Sequence, residues 1–259
     1  MRRFLPCEVL GILFTFAMHS KPMVTKPAKA RTLVALAHAI VSHRRLPMND
    51  RLLASILAGV AGAVNAGGFF VVGQYTSHMT GYLSQVADSL AIGSFAVAVS
   101  SACAIIAFIL GAAASAILVN WARQHHYARQ YALPIAVQGG VLFLFSFAGY
   151  ATGIVPNFAL LMVLCVLMGM QNATITKISK ARIRTTHATG MITDIGIELG
   201  RALFGKFARL PDVKADPHKL STLMSLVGAY LSGGIIGAVG FTTLGFIMAL
   251  PLSFVLLTV

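Results

Sequence analysis

The chain alternates between long apolar runs and short stretches rich in Lys and Arg. Apolar segments occupy about 52–72, 95–119, 132–152, 158–176, 222–240 and 243–259. Each approaches the roughly 20 residues a helix needs to cross a hydrocarbon core, the last two marginally. Segments 78–92 and 186–204 are less apolar, the first holding Gln85 and Asp88, the second Asp194 and Glu198. Lys and Arg are retained on the cytoplasmic side of a membrane, and here they gather in the N-terminus, 120–131, 177–184 and 201–219. A full crossing by 78–92 would put Arg123 and Arg129 outside. Treating both polar segments as re-entrant or broken half-helices places every basic stretch inside and the neutral turn 153–157 outside. The pattern therefore predicts an all-α membrane protein with six transmembrane helices plus two partial ones and both termini cytoplasmic. Irregular backbone at membrane depth is tolerated only where it is buried in protein or lines a wet cavity, so a partial helix points to a pathway.

Composition agrees with lipid as the solvent. Of 259 residues, 57% are apolar and 10% charged, and the mean hydropathy is +0.81. The net charge of +13 would suggest nucleic acid in a soluble protein, but basic residues confined to short stretches between apolar segments are a cytoplasmic-loop pattern, which excludes a nucleic-acid partner. Cys7, Cys103 and Cys165 lie far apart with no CxxC spacing, so neither a disulfide framework nor a zinc site is implied. The adjacent His125 and His126 lack further ligating neighbours for a metal. Residues 1–47 carry eight of the twenty basic residues against one acid, Glu8. Their apolar stretch from Val9 to Met18 is too short to span. This basic extension reads either as a surface-lying anchor or as non-native sequence upstream of a start at Met48, and the run MNDRLL entering an apolar helix favours the second.

The two polar segments resemble each other. TSHMTGYLSQ from Thr76 and TTHATGMITD from Thr185 share Thr, His, Thr and Gly at the same offsets, so His78 corresponds to His187. Upstream, Asn65-Ala66 matches Asn172-Ala173 with a two-residue slip; downstream, AFILGA from Ala107 matches AYLSGG from Ala229. One ancestral unit used twice, as repeats 48–152 and 153–259, explains the pattern. Three full crossings per unit force the second copy upside down, so an inverted repeat is expected.

At these residues the sequence resembles the YoaK-like family of bacterial membrane proteins, a domain-of-unknown-function group whose blocks run AGxVDAxGF, FVSHMTGN, GxQNA and RTTHVTGNxTDLG. Here they stand as AGAVNAGGF, YTSHMTGY, GMQNA and RTTHATGMITDIG. Asn65 replaces the usual Asp, and Tyr82 and Met191 replace the Asn after each Thr-Gly. Each swap removes a charge or an amide from the motif. The resemblance implies a multi-pass protein of the bacterial inner membrane and no particular substrate.

The candidate solute path consists of Asn65, Ser77, His78, Thr80, Gly81, Asn172, Thr186, His187, Thr189, Gly190 and Asp194. His78 and His187 either titrate in an intramembrane path or tie down broken helices. Ser77, Thr80, Thr186 and Thr189 either contact a ligand or cap helices. Asn65 and Asn172 bridge broken backbone or contact solute. Asp194 and Glu198, one turn apart, either bind a cation or pair with Arg201 and Arg184 at the cytoplasmic rim. Gly196 and Gly200, at GxxxG spacing, suit close helix approach. No clustered nucleophile and base, HExxH or paired Asp appears, so no catalytic residue, cofactor or metal is expected. The functional expectation is a transporter or channel for an unidentified small solute or ion, with self-association left open. The alternative is a scaffold or regulatory protein acting through partner helices.

Overall fold

The computed structural model describes residues 47–125, 130–151, 155–178, 188–207 and 214–259, all within the unit Leu33–Val259. The basic N-terminal extension, Thr186, His187 and Arg184 lie outside the described residues. Every element is helical: α1 Pro47–Val72, α2 Met79–Ala91, α3 Phe95–His125, α4 Ala132–Phe145, α5 Asn157–Ile178, α6 Ala188–Phe207, α7 Pro217–Leu244 and α8 Ala249–Thr258. Short 3-10 turns follow α4 (Ala148–Ala151) and α7 (Gly245–Met248).

Local chemistry sets several boundaries. Asp216 caps α7 by accepting from the His218 and Lys219 amides at 2.9 and 3.1 Å, with Pro217 opening the helix, a position where its missing N–H is no loss. Gly73 (φ 77°) and Gly93 (φ 78°) stop α1 and α2 in the left-handed conformation that glycine adopts without penalty. At 13 residues, α2 is about 20 Å long, too short for a core of about 30 Å.

Among the described residues, five stretches are long and apolar enough to cross: 51–72, 95–125, 132–150, 157–178 and 217–258. The six expected from hydropathy become five because 222–240 and 243–259 join in one helical stretch that breaks at Gly245 (φ 60°). α6, expected to be a partial helix, has 20 residues, enough to cross by length, and is excluded from the five by its polar content.

Packing is organised around α1 and α5. Leu53, Ala54, Leu57, Ala58 and Ala61 of α1 are fully buried, as are Cys165, Leu167 and Met168 of α5. α1 lies along α7, and α3 along α5. In the first pair Gly62 meets Tyr230, Ala63 meets Gly237 and Gly67 meets Phe241, so these helices run in the same direction. In the second, Gly111 meets Val166 and Ser115 meets Thr174, again parallel. α1 and α5 run antiparallel, since Gln171 reaches Leu57 and Gly68 lies by Leu164. α4 is antiparallel to α5, with Tyr131 on Lys177 and Gln138 on Thr174. It is also antiparallel to α8, because Gly139 meets Leu256 and Leu257 while Phe145 meets Phe246. Outward faces are apolar, including Ile106, Ile109, Leu110 and Ile117 on α3 and Leu231, Ile235, Ile236 and Val239 on α7. So large an exposed apolar surface belongs in lipid.

These directions gather Arg51, Arg123, Lys177 and Lys219 at one end of the bundle, where the Arg51 guanidinium donates to the His218 carbonyl at 2.6 Å and to Thr222. The turns at Gly73, Gly93 and Gly245 occupy the other end. Gly196 and Gly200, expected to permit close helix approach, have nothing within 4 Å of a would-be Cβ. Close approach falls instead at Gly62, Gly111, Gly169 and Gly233, where a Cβ would collide with the carbonyl oxygens of Tyr230, Val166, Phe108 and Gly59.

Candidate functional site

At the neutral end the chain leaves α1, crosses a short irregular loop and turns into α2. Asn65 fixes that loop. Its Oδ1 accepts from both the backbone N–H and the hydroxyl of Ser77 at 2.9 Å. The oxygen of the amide does the work, which an Asp at this position would also supply. The Tyr82 hydroxyl donates to the Tyr75 carbonyl at 2.8 Å, so the residue that replaces the family's Asn anchors the same loop. Thr76 is fully buried and its hydroxyl has no partner among the described residues.

Two adjoining cavities of about 290 and 250 Å³ open beside this loop, sharing Gln74, Tyr82 and Gln85. The larger is lined also by His78, Gly81, Ser84 and Asp88, the smaller by Ser100, Ser101 and Leu161. The Ser101 hydroxyl lies 2.8 Å from the Gln85 side-chain amide and 2.9 Å from the Val97 carbonyl, which ties Gln85 to α3 beside the cavity. His78 occupies the N-cap position of α2 without a side-chain capping bond, and its ring rests on Gly81, where a Cβ would collide with it. Ser77 is thus a partner of Asn65 rather than a cap, and Thr80 is exposed in the first turn of α2. The site offers amide, hydroxyl, imidazole and one carboxylate at its rim, a set suited to hydrogen-bonding a small polar solute and lacking any charge cluster.

The structure brings Asn65, Ser77, His78 and Gly81 together and places the second-copy residues toward the basic end. Asn172 donates to the Met168 carbonyl of its own helix at 3.0 Å. Thr189 and Gly190 lie in the first turn of α6. Asp194 faces Lys219 at 3.8 Å, and Glu198 pairs with Arg201 at 3.1 Å and Lys219 at 3.3 Å. Glu198 is shielded from solvent and accepts from the Asp216 backbone N–H at 2.9 Å. That amide bond, joined by the Lys219 and Arg201 cations, outweighs desolvation and holds the carboxyl below the usual carboxylate range. Pairing with Arg201 and Lys219 is therefore the geometry of these acids among the described residues.

Sequence reasoning passed over a second polar group deep in the bundle. Ser115 of α3, Gln138 of α4 and Gln171 and Thr174 of α5 are all fully buried. The available signal was polar residues inside apolar runs.

A family profile described as "Protein of unknown function (DUF1275)" matches residues 53–259. The chain is 30% identical over 157 residues to the "UPF0700 transmembrane protein YoaK" of Bacillus subtilis (strain 168), a match covering 60% of this chain and 69% of that protein. No solved structure matches.

Proposed function

The chain belongs to the DUF1275 family of membrane proteins, and on that footing we propose that it is a transporter or facilitator for a small polar solute, built as an inverted repeat. The packing supports the architecture. The repeat alignment that pairs Asn65 with Asn172 also pairs Gly62 with Gly169 and Gly59 with Val166; the one pairing Ala107 with Ala229 pairs Phe108 with Tyr230 and Gly111 with Gly233. The close approaches obey it: Gly62 sits on the Tyr230 carbonyl as Gly169 sits on that of Phe108, and Gly233 sits on the Gly59 carbonyl as Gly111 sits on that of Val166. A two-fold operation exchanges the two interfaces. The helices it interchanges, α1 with α5 and α4 with α8, are antiparallel, which requires an axis perpendicular to them and hence in the plane of a bilayer. In this reading the chain turns back at Gly245 so that α8 lies opposite α4, with α2 and α6 as the interrupted elements of the two copies. The basic end is cytoplasmic by the distribution of Lys and Arg, and the Gln74–Gln85 cavity opens to the far side of a bacterial inner membrane.

The observation that carries the transport reading is that cavity: polar, beside irregular backbone, in a bundle otherwise wrapped in apolar surface. Below it, α3 and α5 close on Ala104, Ala107, Leu161 and Cys165, an apolar seam suited to act as a barrier. The test is permeation in proteoliposomes, read as osmotic swelling with small neutral polyols and amides and as uptake of labelled cations, for the parent and for His78→Ala and Gln85→Leu. Loss of one permeation activity in these variants supports the reading; identical rates for every solute tested remove the cavity from any path. The orientation is checked with an impermeant maleimide, expected to label Ser84→Cys in intact cells and Arg123→Cys only after permeabilisation. The scaffold reading draws on one observation, the open Gly196 and Gly200 positions of α6.

A further inference from the structure

The two equivalent interfaces differ in one respect. By the repeat alignment, Gln171, Thr174 and Ser115 of the α3–α5 interface occupy the places of Val64, Gly67 and Gly237 in the α1–α7 interface. One copy packs glycine and valine; the other buries an amide and two hydroxyls at the same positions, with Gln138 of α4 added. Polar side chains within a membrane bundle are costly unless partnered, and the first copy shows that packing alone is satisfied without them.

The hydrogen bonds within this group run in one direction. Thr174 gives its proton to the Met170 carbonyl at 2.8 Å, so its oxygen accepts from Gln138 Nε2 at 3.1 Å and from the Ser115 hydroxyl at 2.8 Å. Gln171 Nε2 donates to the Leu57 carbonyl at 2.8 Å. Rotating the Gln171 amide would set its oxygen against the Leu57 carbonyl, and the Gln138 orientation follows from Thr174 giving its proton to Met170. The result is two fully buried amide oxygens, Gln138 Oε1 and Gln171 Oε1, with no partner among the described residues. Thr174, which holds the Gln138 amide, lies one turn from Gln171 on α5, so the two amides approach neighbouring turns of the same helix.

We propose that this node between α3, α4 and α5 binds a small monovalent cation, with Gln138 Oε1 and Gln171 Oε1 as ligands. Each amide nitrogen has a protein acceptor while neither amide oxygen has a donor among the described residues, so an occupant that satisfies the oxygens must bring positive charge or hydrogen-bond donors. The node itself has no carboxylate to balance a divalent ion, whereas neutral oxygen ligands suit a single charge. The site is separate from the solute cavity, from which it is divided by the apolar seam, and it stands or falls independently of transport.

The experiment uses the purified full chain in detergent. Equilibrium binding of 22Na+, with K+ and NH4+ as competitors, is expected to saturate at one ion per chain. The thermal midpoint should rise with Na+ at constant ionic strength against N-methyl-D-glucamine, as mass action requires. Gln138→Met and Gln171→Met, which fill the same space without an oxygen ligand, should each lower Na+ affinity at least tenfold and flatten that rise. Absence of saturable binding in the parent overturns the proposal whatever the variants do. So does equal Na+ affinity in parent and variants, which would put the ion elsewhere and leave the node to a water molecule.

Discussion

The glycines offer the sharpest check on the packing, because the chain holds matched sets that differ only in what lies opposite. An alanine at Gly62 would drive its methyl into the Tyr230 carbonyl, with the carbonyl carbon at 2.9 Å and the Gly234 nitrogen at 3.0 Å, well inside the ordinary contact range of 3.4–4 Å. Main chain cannot swing aside as a side-chain tip can, so α1 and α7 must part. Overpacking of this kind costs about 1 to 3 kcal/mol, while replacing glycine within a helix returns roughly 0.5 to 1 kcal/mol. Gly62→Ala and its counterpart in the proposed repeat, Gly169→Ala, should therefore each destabilise, by a net of up to about 2.5 kcal/mol. Gly140, Gly196, Gly200 and Gly228 have nothing within 4 Å, and alanine there should leave stability unchanged or raise it by up to about 1 kcal/mol. Unfolding in mixed micelles, followed by far-ultraviolet circular dichroism, measures both sets. If Gly196→Ala and Gly62→Ala shift the midpoint alike, the helix register described here is wrong. If Gly169→Ala alone is neutral, the equivalence of the two interfaces fails.

Asn65→Leu should destabilise by about 1 to 3 kcal/mol, because it strands the amide and hydroxyl of Ser77 in a partly buried loop; Asn65→Asp, which keeps the accepting oxygen, should fold with near-parent stability in the same unfolding assay. Glu198 gives a pH signature. Its carboxyl is held low in the fold, first by the Asp216 amide and then by Lys219 and Arg201, so the stability it contributes is complete above the unfolded Glu value of about 4.3 and is lost as pH falls through the lower native value. The thermal midpoint of the parent should drop below about pH 4 more steeply than that of Glu198→Gln, and parallel curves would show that the ion-paired cluster does not stabilise the docking of α6 on α7.

Much of the architecture was legible because lipid simplifies the code. Runs of apolar residues long enough to cross had to be helices, and the basic stretches named the end of the bundle at which Arg51, Arg123, Lys177 and Lys219 meet. The motif blocks around Asn65, His78, Asn172 and His187 sufficed to indicate the family that the profile match shows. What the pattern missed had a common cause: a hydropathy run reports the sum over a helix and not which face carries each side chain. The C-terminal stretch was divided, but its break falls at Gly245 with positive φ, a few residues beyond the boundary that hydropathy drew. The GxxxG at Gly196 was visible as spacing, yet spacing does not say whether another helix lies opposite. By contrast Gly62 and Gly169, unmarked by any GxxxG, are where backbones touch. Gln138, Gln171 and Thr174 were hidden in the same way, as single polar residues diluted by leucine and methionine. Comparing the two copies position by position would have exposed them, since a residue that is glycine or valine in one interface and hydroxyl or amide in its equivalent cannot be explained by packing. On the proposed repeat, the places where the copies disagree therefore carry more functional information than the motif they share: the shared residues hold both copies of the fold, and the unshared ones distinguish a polar cavity at one end from an ion-paired cluster at the other.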